Sequence, residues 1–478
     1  VKFQVGRDAL AEAVAWVARA LPTRPVLPLL SGMLIEAAEP MGPGGGAGRG
    51  GSDAAAGGPA GSGLASEHAG TGAAAGALTL SCFDYDVSAR LRIDADVAEP
   101  GRALVPGRLL AEIVRSLPGT VAEFTSDAES VGLSCGSAEF TLVSLPAEDY
   151  PALPEPPAAV GTVDGEVLAA AAIQVTPAAS RDDTLPALTA VCLDIDGETL
   201  TLAATDRYRL AVREISWQPA SPGLRSAALV PARTLAEVAR TMARGTPVSI
   251  AFAPSAPGAG NGSGIRPAEG VISFEGGGRR LTVRLIGGEF IRYRSRFPAE
   301  FGSRAELPAG AFLDAVRRVS LVAERAVPVS LAFGDGAAVV EARTEGRARA
   351  VETVPASFEG DQRVISFNPQ YLLDGLAAAA YVAAGRPRPG TGHGPDVPAG
   401  SGAGDREMAQ PGDAEAGSAE HCETGPGGAD PGGRIRLDFT SPAKPAMITW
   451  TAPAESADRQ AASSFRYLLV PLRGQVSA

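Results

Sequence analysis

One twelve-residue pattern occurs twice in this 478-residue chain. Leu104 to Arg115 reads LVPGRLLAEIVR and Leu229 to Arg240 reads LVPARTLAEVAR, with eight of the twelve positions identical. A chain that writes one local signal twice is built by repeating a structural unit. In the first copy Leu109, Leu110, Ile113, Val114 and Leu117 form a single apolar stripe, and Pro106 stands where a helix opens. A third, divergent copy runs Asn368-Pro369-Gln370-Tyr371-Leu372-Leu373-Asp374-Gly375-Leu376, with Tyr371 in place of the first arginine.

A second kind of helix repeats as well. Arg7 to Leu21 carries Leu10, Val14, Val17 and Leu21 on one face. The pattern returns in Val163 to Val175 with Leu168, Ala172 and Val175, and in Leu307 to Val322 with Phe312, Val316 and Val319. Strand signals surround these helices. Leu78-Thr79-Leu80 precedes Asp84 as Leu200-Thr201-Leu202 precedes Asp206, and Ala138 to Val143, Val248 to Phe252 and Leu281 to Leu285 alternate as half-buried strands do. Each unit reads as two helices with several antiparallel strands. The expectation is an α+β fold of three units, near 1–153, 154–303 and 304–478.

The 58 glycines and 39 prolines are unevenly placed. Residues 43–76 and 254–270 are dominated by Gly, Ala, Ser and Pro, and 385–434 are Gly/Pro-rich and acidic. Such stretches bury too little apolar surface to offset their ordering entropy, so they read as flexible insertions at exposed turns. Without them roughly 380 residues remain, enough for about three domains of usual size. All three histidines, His68, His393 and His421, fall in the insertions. The folded part therefore has no material for Ser-His-Asp or Cys-His catalysis, nor for His-based zinc sites. The four cysteines lack metal-type spacing and read as reduced, cytosolic thiols. Val1-Lys2-Phe3-Gln4 leads straight into a helix pattern, which is not how a signal peptide opens, and no apolar run nears the ~20 residues that span a bilayer. No cofactor, metal or membrane is expected, and the expected location is the cytoplasm.

The net charge of −12 argues against a generally basic nucleic-acid binder, but only the field of one face matters to a polyanion. Residues seven apart share one side of a helix. Arg108 with Arg115, and Arg233 with Arg240, therefore point together, away from the apolar stripe; Arg244 extends the second row. In the third unit Arg317 and Arg318 sit on the first kind of helix instead. Matched arginine rows on an acidic chain are segregated charge, whereas Glu112 and Glu237 are what an ordinary solvated face would add.

Motifs spread over the whole folded part resemble the bacterial DNA sliding clamp family, the β subunit of DNA polymerase III. They are Lys2-Phe3 with Arg24-Pro25-Val26-Leu27-Pro28, Leu104-Val105-Pro106-Gly107-Arg108, and Phe140-Thr141-Leu142 with Leu145-Pro146-Ala147-Glu148-Asp149-Tyr150-Pro151. Ala204-Thr205-Asp206-Arg207-Tyr208-Arg209-Leu210-Ala211-Val212 and the ending Tyr467-Leu468-Leu469-Val470-Pro471-Leu472-Arg473 complete them. The style of the insertions resembles high-GC actinobacterial proteins.

The resemblance implies three similar domains per chain, a head-to-tail homodimer closing a six-domain ring, and helices lining a hole that encircles duplex DNA. It implies no active site, hence a processivity factor and not an enzyme. Arg24, Arg108, Arg115, Arg233 and Arg240 would face the DNA, and arginine–phosphate contacts are independent of base sequence, which permits sliding. The implied partners are double-stranded DNA, the polymerase III α subunit, the clamp loader and other proteins with a clamp-binding motif. Their peptide pocket, by resemblance between the second and third domains, would use Leu188, Thr205, Arg207, Tyr208, Arg209, Leu210, Arg296, Leu468, Val470, Pro471, Leu472 and Arg473. Ile291 stands where the family often has proline, and Arg296 where it often has a small aliphatic residue, which alters one wall. The ring seam would use Phe140 and Leu142, with Leu321 opposite. Two other readings compete: a clamp paralogue with a spare or resistance role, and a carboxylate- or Mg²⁺-dependent enzyme using Asp84, Asp86, Asp182, Asp183 and Asp206.

Overall fold

The computed structural model describes residues 1–39, 76–127, 129–242, 245–254, 264–265, 267–323, 327–344, 346–361, 363–383, 433–451 and 464–472. The chain divides into two compact units, Val1–Arg207 with Val212–Arg296, and Tyr208–Ala211 with Phe297–Ala478. Among the described residues six α-helices run in three successive pairs: α1 (Arg7–Val17) with α2 (Gly107–Ser116), α3 (Gly165–Val175) with α4 (Ala232–Met242), and α5 (Ala309–Ser320) with α6 (Pro369–Ala383).

Each helix starts for a local reason. Pro106, at φ −57°, hands the chain from strand Gly101–Pro106 to α2. Gly107 follows because a Cβ there would stand 2.8 Å from Leu21. The Asp164 side chain accepts from the Val167 amide at 3.0 Å and caps α3, and Asn368 accepts from the Tyr371 amide at 3.1 Å ahead of α6. The stripes face inward with Leu110, Ile113 and Val114 on α2, Leu235, Val238 and Met242 on α4, and Leu372 and Leu376 on α6, whereas Leu109, expected in the first stripe, lies at its edge and is exposed. Each such side chain contributes about 1.5–3 kcal/mol of burial as an upper bound.

In the first unit the sheet is continuous from one repeat to the next. Strand Arg279–Arg284 pairs antiparallel with Val87–Glu99, placing Leu281 opposite Ala89. From that join Val271–Gly276, Pro247–Phe252 and Ala159–Asp164 follow on one side, and Lys2–Gly6, Val121–Ser126, Ser130–Cys135 and Ala138–Val143 on the other. Gly76–Phe83, Gly32–Ala38 and Gly101–Pro106 branch from Val87–Glu99 in that order. The Tyr150 hydroxyl accepts from the Phe83 amide at 2.9 Å, and Tyr150 packs with Leu30, Leu34 and Leu104, so the motif Leu145–Tyr150 fastens the chain leaving the first repeat onto this sheet. In the second unit Phe465–Leu469, Ala446–Thr451, Arg434–Phe439, Ser303–Pro308 and Ser357–Gly360 form one run of strands. Ala348–Pro355, Ala337–Thr344, Val329–Phe333 and Val364–Phe367 form another.

The insertions expected at 43–76 and 385–434 lie outside the described residues except at their ends, where Gly76 and Arg434 open strands. Within 254–270, Gly264–Ile265 pair antiparallel with Phe290–Ile291. Arg244 and Arg473 lie outside the described residues. Cys82, Cys135 and Cys192 are free thiols in the interior.

Candidate nucleic-acid interface and partner surface

All five arginines expected to face DNA are exposed and belong to the first unit. Arg108 and Arg115 open and close α2 on the side opposite Leu110 and Val114, and Arg233 and Arg240 hold the matching places on α4. Arg24 sits in the exposed turn before Pro28–Ser31. One Arg108 N–H donates to the Pro22 carbonyl at 3.0 Å, tying the Arg24 turn to the first turn of α2. Arg24, Arg115 and Arg233 have no acidic partner among the described residues, whereas Arg240 pairs with Glu237. Glu237 also takes Arg19, which follows α1, at 2.5 Å. The carboxylate that looked like ordinary solvated-face mixing thus joins the first repeat to the second. Arg19 was not recognisable in the sequence, because no local rule pairs residues 218 apart. A cavity of about 220 Å³ at this junction has Trp16, Arg19 and Arg233 in its wall.

The residues expected at the peptide pocket belong to both units. In the first, the positive φ of Arg207 (80°) makes a left-handed corner, rare for a residue with a Cβ, and its amide donates to the buried Thr205 hydroxyl oxygen at 3.1 Å. Leu188 ends the turn Pro186–Leu188 and is half-buried. Arg296 ends the turn Tyr293–Arg296 and is exposed; the turn is pinned by the Tyr293 hydroxyl, which donates to Asp194 at 2.6 Å. Burial first, and that bond second, push the Tyr293 phenol well above its ordinary range.

In the second unit, Tyr208 to Ala211 are brought to the C-terminal segment. The Val470 amide donates to the Tyr208 carbonyl at 2.9 Å, and the Leu472 amide to the Ser366 carbonyl at 2.8 Å. Tyr208 stacks on Tyr371, ring centres 6.3 Å apart, and is 57% exposed, while Val470 and Leu472 are each 37% exposed. Leu210, Leu468 and Pro471 are buried. Arg209 is buried too. Its guanidinium lies over the Tyr371 ring at 4.3 Å and bonds Asp374 at 2.5 Å. Gln370 holds the other Asp374 oxygen at 2.8 Å. Asp374 and Tyr371 are the partners missed in the sequence, although the third repeat copy already set Tyr371 where an arginine was due.

Of the residues expected at the ring seam, Phe140 is half-buried on edge strand Ala138–Val143, Leu142 points into the core at 2% exposure, and Leu321 is 84% exposed just after α5. Val143, on the same edge strand, is 68% exposed. Three acids of the enzyme reading are engaged in turns or an ion pair. Asp84 accepts from the Asp86 and Val87 amides, Asp86 pairs with Arg284 at 3.0 Å, and Asp182 accepts from the Thr184 amide at 3.0 Å, the chief cause of its lowered pKa. No cluster of three or more metal-ligating side chains occurs among the described residues.

The fold is that of a sliding clamp. The DNA polymerase sliding clamp of Bacillus subtilis superposes with a TM-score of 0.70 at 21% identity, over 99% of each chain. Three family models match in order: the N-terminal domain of the DNA polymerase III β subunit over 1–41 and 72–154, the central domain over 162–291, and the C-terminal domain over 294–382. The β sliding clamp of Streptomyces coelicolor is 46% identical over 378 residues, 79% of this chain and 88% of that protein. The β sliding clamp homolog GriR of Streptomyces muensis is 39% identical over 376 residues, 79% of this chain and 88% of that protein. The chain belongs to the DNA polymerase III β subunit family, the bacterial β sliding clamps.

Proposed function

We propose that this chain works as a homodimeric sliding clamp, a ring around duplex DNA that tethers the replicative polymerase and has no active site of its own. The observation that carries the reading is the pair of matched arginine rows. Arg108 and Arg115 on α2, and Arg233 and Arg240 on α4, are exposed on the outward side of helices whose other side is core. Guanidiniums on rigid helices bind phosphates of any sequence and exchange one for the next, while linkage through the ring, not tight contact, keeps the protein on its track. Arg24 adds a contact from its turn.

The partner surface rests on Tyr208, Val470 and Leu472, exposed apolar groups held in place by main-chain bonds and backed by Arg209, Leu210, Leu468 and Pro471. This suits a short peptide with spaced apolar anchors, as the polymerase α subunit, the clamp loader and other clamp-binding proteins would present. Leu188, Thr205, Arg207, Arg296 and Arg473 complete the set. Phe140 and Leu321 are assigned to the ring seam, while Leu142, expected there from the sequence, is buried in its own domain and backs the edge strand from inside. No helix among the described residues is long and apolar enough to cross a membrane, and the working place is the nucleoid in the cytoplasm.

The test is topological. The full chain should run as a dimer, stay on nicked circular DNA after loading, and leave when the circle is linearised. A chain that remains monomeric, or that leaves circles and linear duplexes equally fast, refutes the ring. The likeness to the S. muensis homolog GriR favours one second reading, a clamp encoded beside the main replicative one. Depletion separates them: arrest of DNA synthesis marks the main clamp, and normal growth the additional one.

A further inference from the structure

The first unit holds a cavity lined by no residue of α2 or α4. It has a volume of about 380 Å³ and lies between the sheet and the segment 151–156, which follows Tyr150. We infer that this cavity is a binding site for a small organic anion, its phosphate or carboxylate head held by Ser81, Arg90 and Arg102.

Strand register builds the polar wall. Leu34 lies opposite Ser81, Ser81 opposite Arg90, and Arg90 opposite Arg280, so one row of side chains crosses four strands on a single face. Arg102 enters beside them, opposite Glu36. The Ser81 hydroxyl is the informative atom. Ser81 is 1% exposed, lines the cavity, and its Oγ has no hydrogen-bond partner among the described residues. A buried hydroxyl left so is unfavourable, and an acceptor oxygen in the cavity would satisfy it.

The guanidiniums are under-used as well. Arg90 and Arg102 share the single carboxylate of Glu36 at 3.4 and 3.3 Å, longer than the ~2.7–2.9 Å of a tight charged bond. Arg280 is engaged by Glu275 at 2.8 Å and holds the edge of the site. Glu155, exposed on the covering segment, is the other acid of the lining, so the cavity wall carries three cations against two anions. A second oxyanion beside Glu36 would fill the spare N–H donors of Arg90 and Arg102.

The rest of the wall selects the body of the ligand. Leu34, Leu153, Pro151 and Pro154 are apolar, and no aromatic ring lines the space, so nothing stacks a nucleobase. The volume lies at the small end of the ~300–1,000 Å³ of ligand sites. A compact aliphatic body on an anionic head fits.

The experiment titrates the full-length dimer with inorganic phosphate and, separately, with citrate, at constant ionic strength set by sodium chloride. Calorimetry and the melting temperature are read together. Wild type should give saturable binding and a rise in melting temperature with at least one probe. A response to phosphate alone assigns a phosphoryl head, and to citrate alone a carboxylate. Ser81→Ala should weaken binding about tenfold and leave unliganded melting equal or higher, because it removes an unsatisfied hydroxyl, and Arg90→Gln should weaken binding tenfold or more, with dimerisation and retention on circular DNA kept in both. If neither probe saturates, or if both variants bind as wild type does, the site is refuted. Arg90→Gln lies on an exposed side chain and tests the site even where the buried substitution disturbs folding.

Discussion

The arginine rows of α2 and α4 and the arginines of the second unit serve different ends. On α2 and α4, Arg115 and Arg233 have no acidic partner among the described residues, and Arg108 gives one N–H to a carbonyl. In the second unit the carboxylates are close at hand. Arg318 on α5 makes two bonds to Glu352, one of 3.0 Å; Arg304 and Arg436 converge on the fully buried Asp438 at 3.0 and 2.8 Å; Arg209 is held by Asp374 and Tyr371. Helix α6, the third copy of the repeat, carries Gln370, Tyr371 and Asp374 where α2 carries Arg108 and its neighbours. Three of the four arginines in the rows of α2 and α4 lack an acidic partner among the described residues, Arg240 being paired with Glu237, whereas these arginines of the second unit are consumed in its own fold. A guanidinium count per domain would miss this, because what decides is whether a carboxylate lies within reach.

The comparison breaks most visibly on salt. Replacing Arg108, Arg115, Arg233 and Arg240 with Gln should reduce the slope of log binding constant against log salt, on a short duplex, by about 3 to 4. Arg317→Gln with Arg318→Gln should change it by less than about 1. Equal changes would mean that the paired arginines of α5 reach phosphates after all. Next in size is Asp374→Ala, which removes the carboxylate paired with the buried Arg209. It should cost the second unit about 3 kcal/mol in urea unfolding, and a loss under about 1 kcal/mol would show that water solvates the guanidinium. Tyr208→Ala should then weaken capture of a short peptide with spaced apolar anchors by about thirtyfold, a loss near 2 kcal/mol. Leu321→Ala, at a still more exposed side chain that is not among the proposed peptide contacts, should leave capture unchanged.

Much of this was legible in the sequence, and the reason is periodicity. The twelve-residue repeat located α2 and α4, and its apolar spacing told which side is core, hence which side the arginines take. Alternation found Ala138–Val143 without error at either end. What failed to show were pairings with no local signature. Strand Arg279–Arg284 joins the sheet of the first repeat through Val87–Glu99, across nearly the whole first unit of sequence. Glu237 recruits Arg19, and Arg209 recruits Asp374. Hairpin Ala337–Thr344 with Ala348–Pro355 was passed over because its second strand is mostly exposed and lacks a clear alternation. Leu142 shows the limit on the other side: a family motif named it, but only packing says that it lies inside.

The finest test of the contrast uses acid. Glu352 is held below its ordinary pKa of 4.5, chiefly by its hydrogen bonds from Arg318. Its folded value is depressed, so the bond stabilises the second unit fully above pH 4.5 and is lost as pH falls through the folded value. Glu352→Gln should therefore flatten the acid limb of the melting curve in that window and leave melting near neutral pH only slightly lower. Arg115 has no such partner, so Arg115→Gln should move neither limb. If Glu352→Gln melts with the same acid limb as wild type, Arg318 is not held in the folded chain, and α5 regains a cation that could act on DNA.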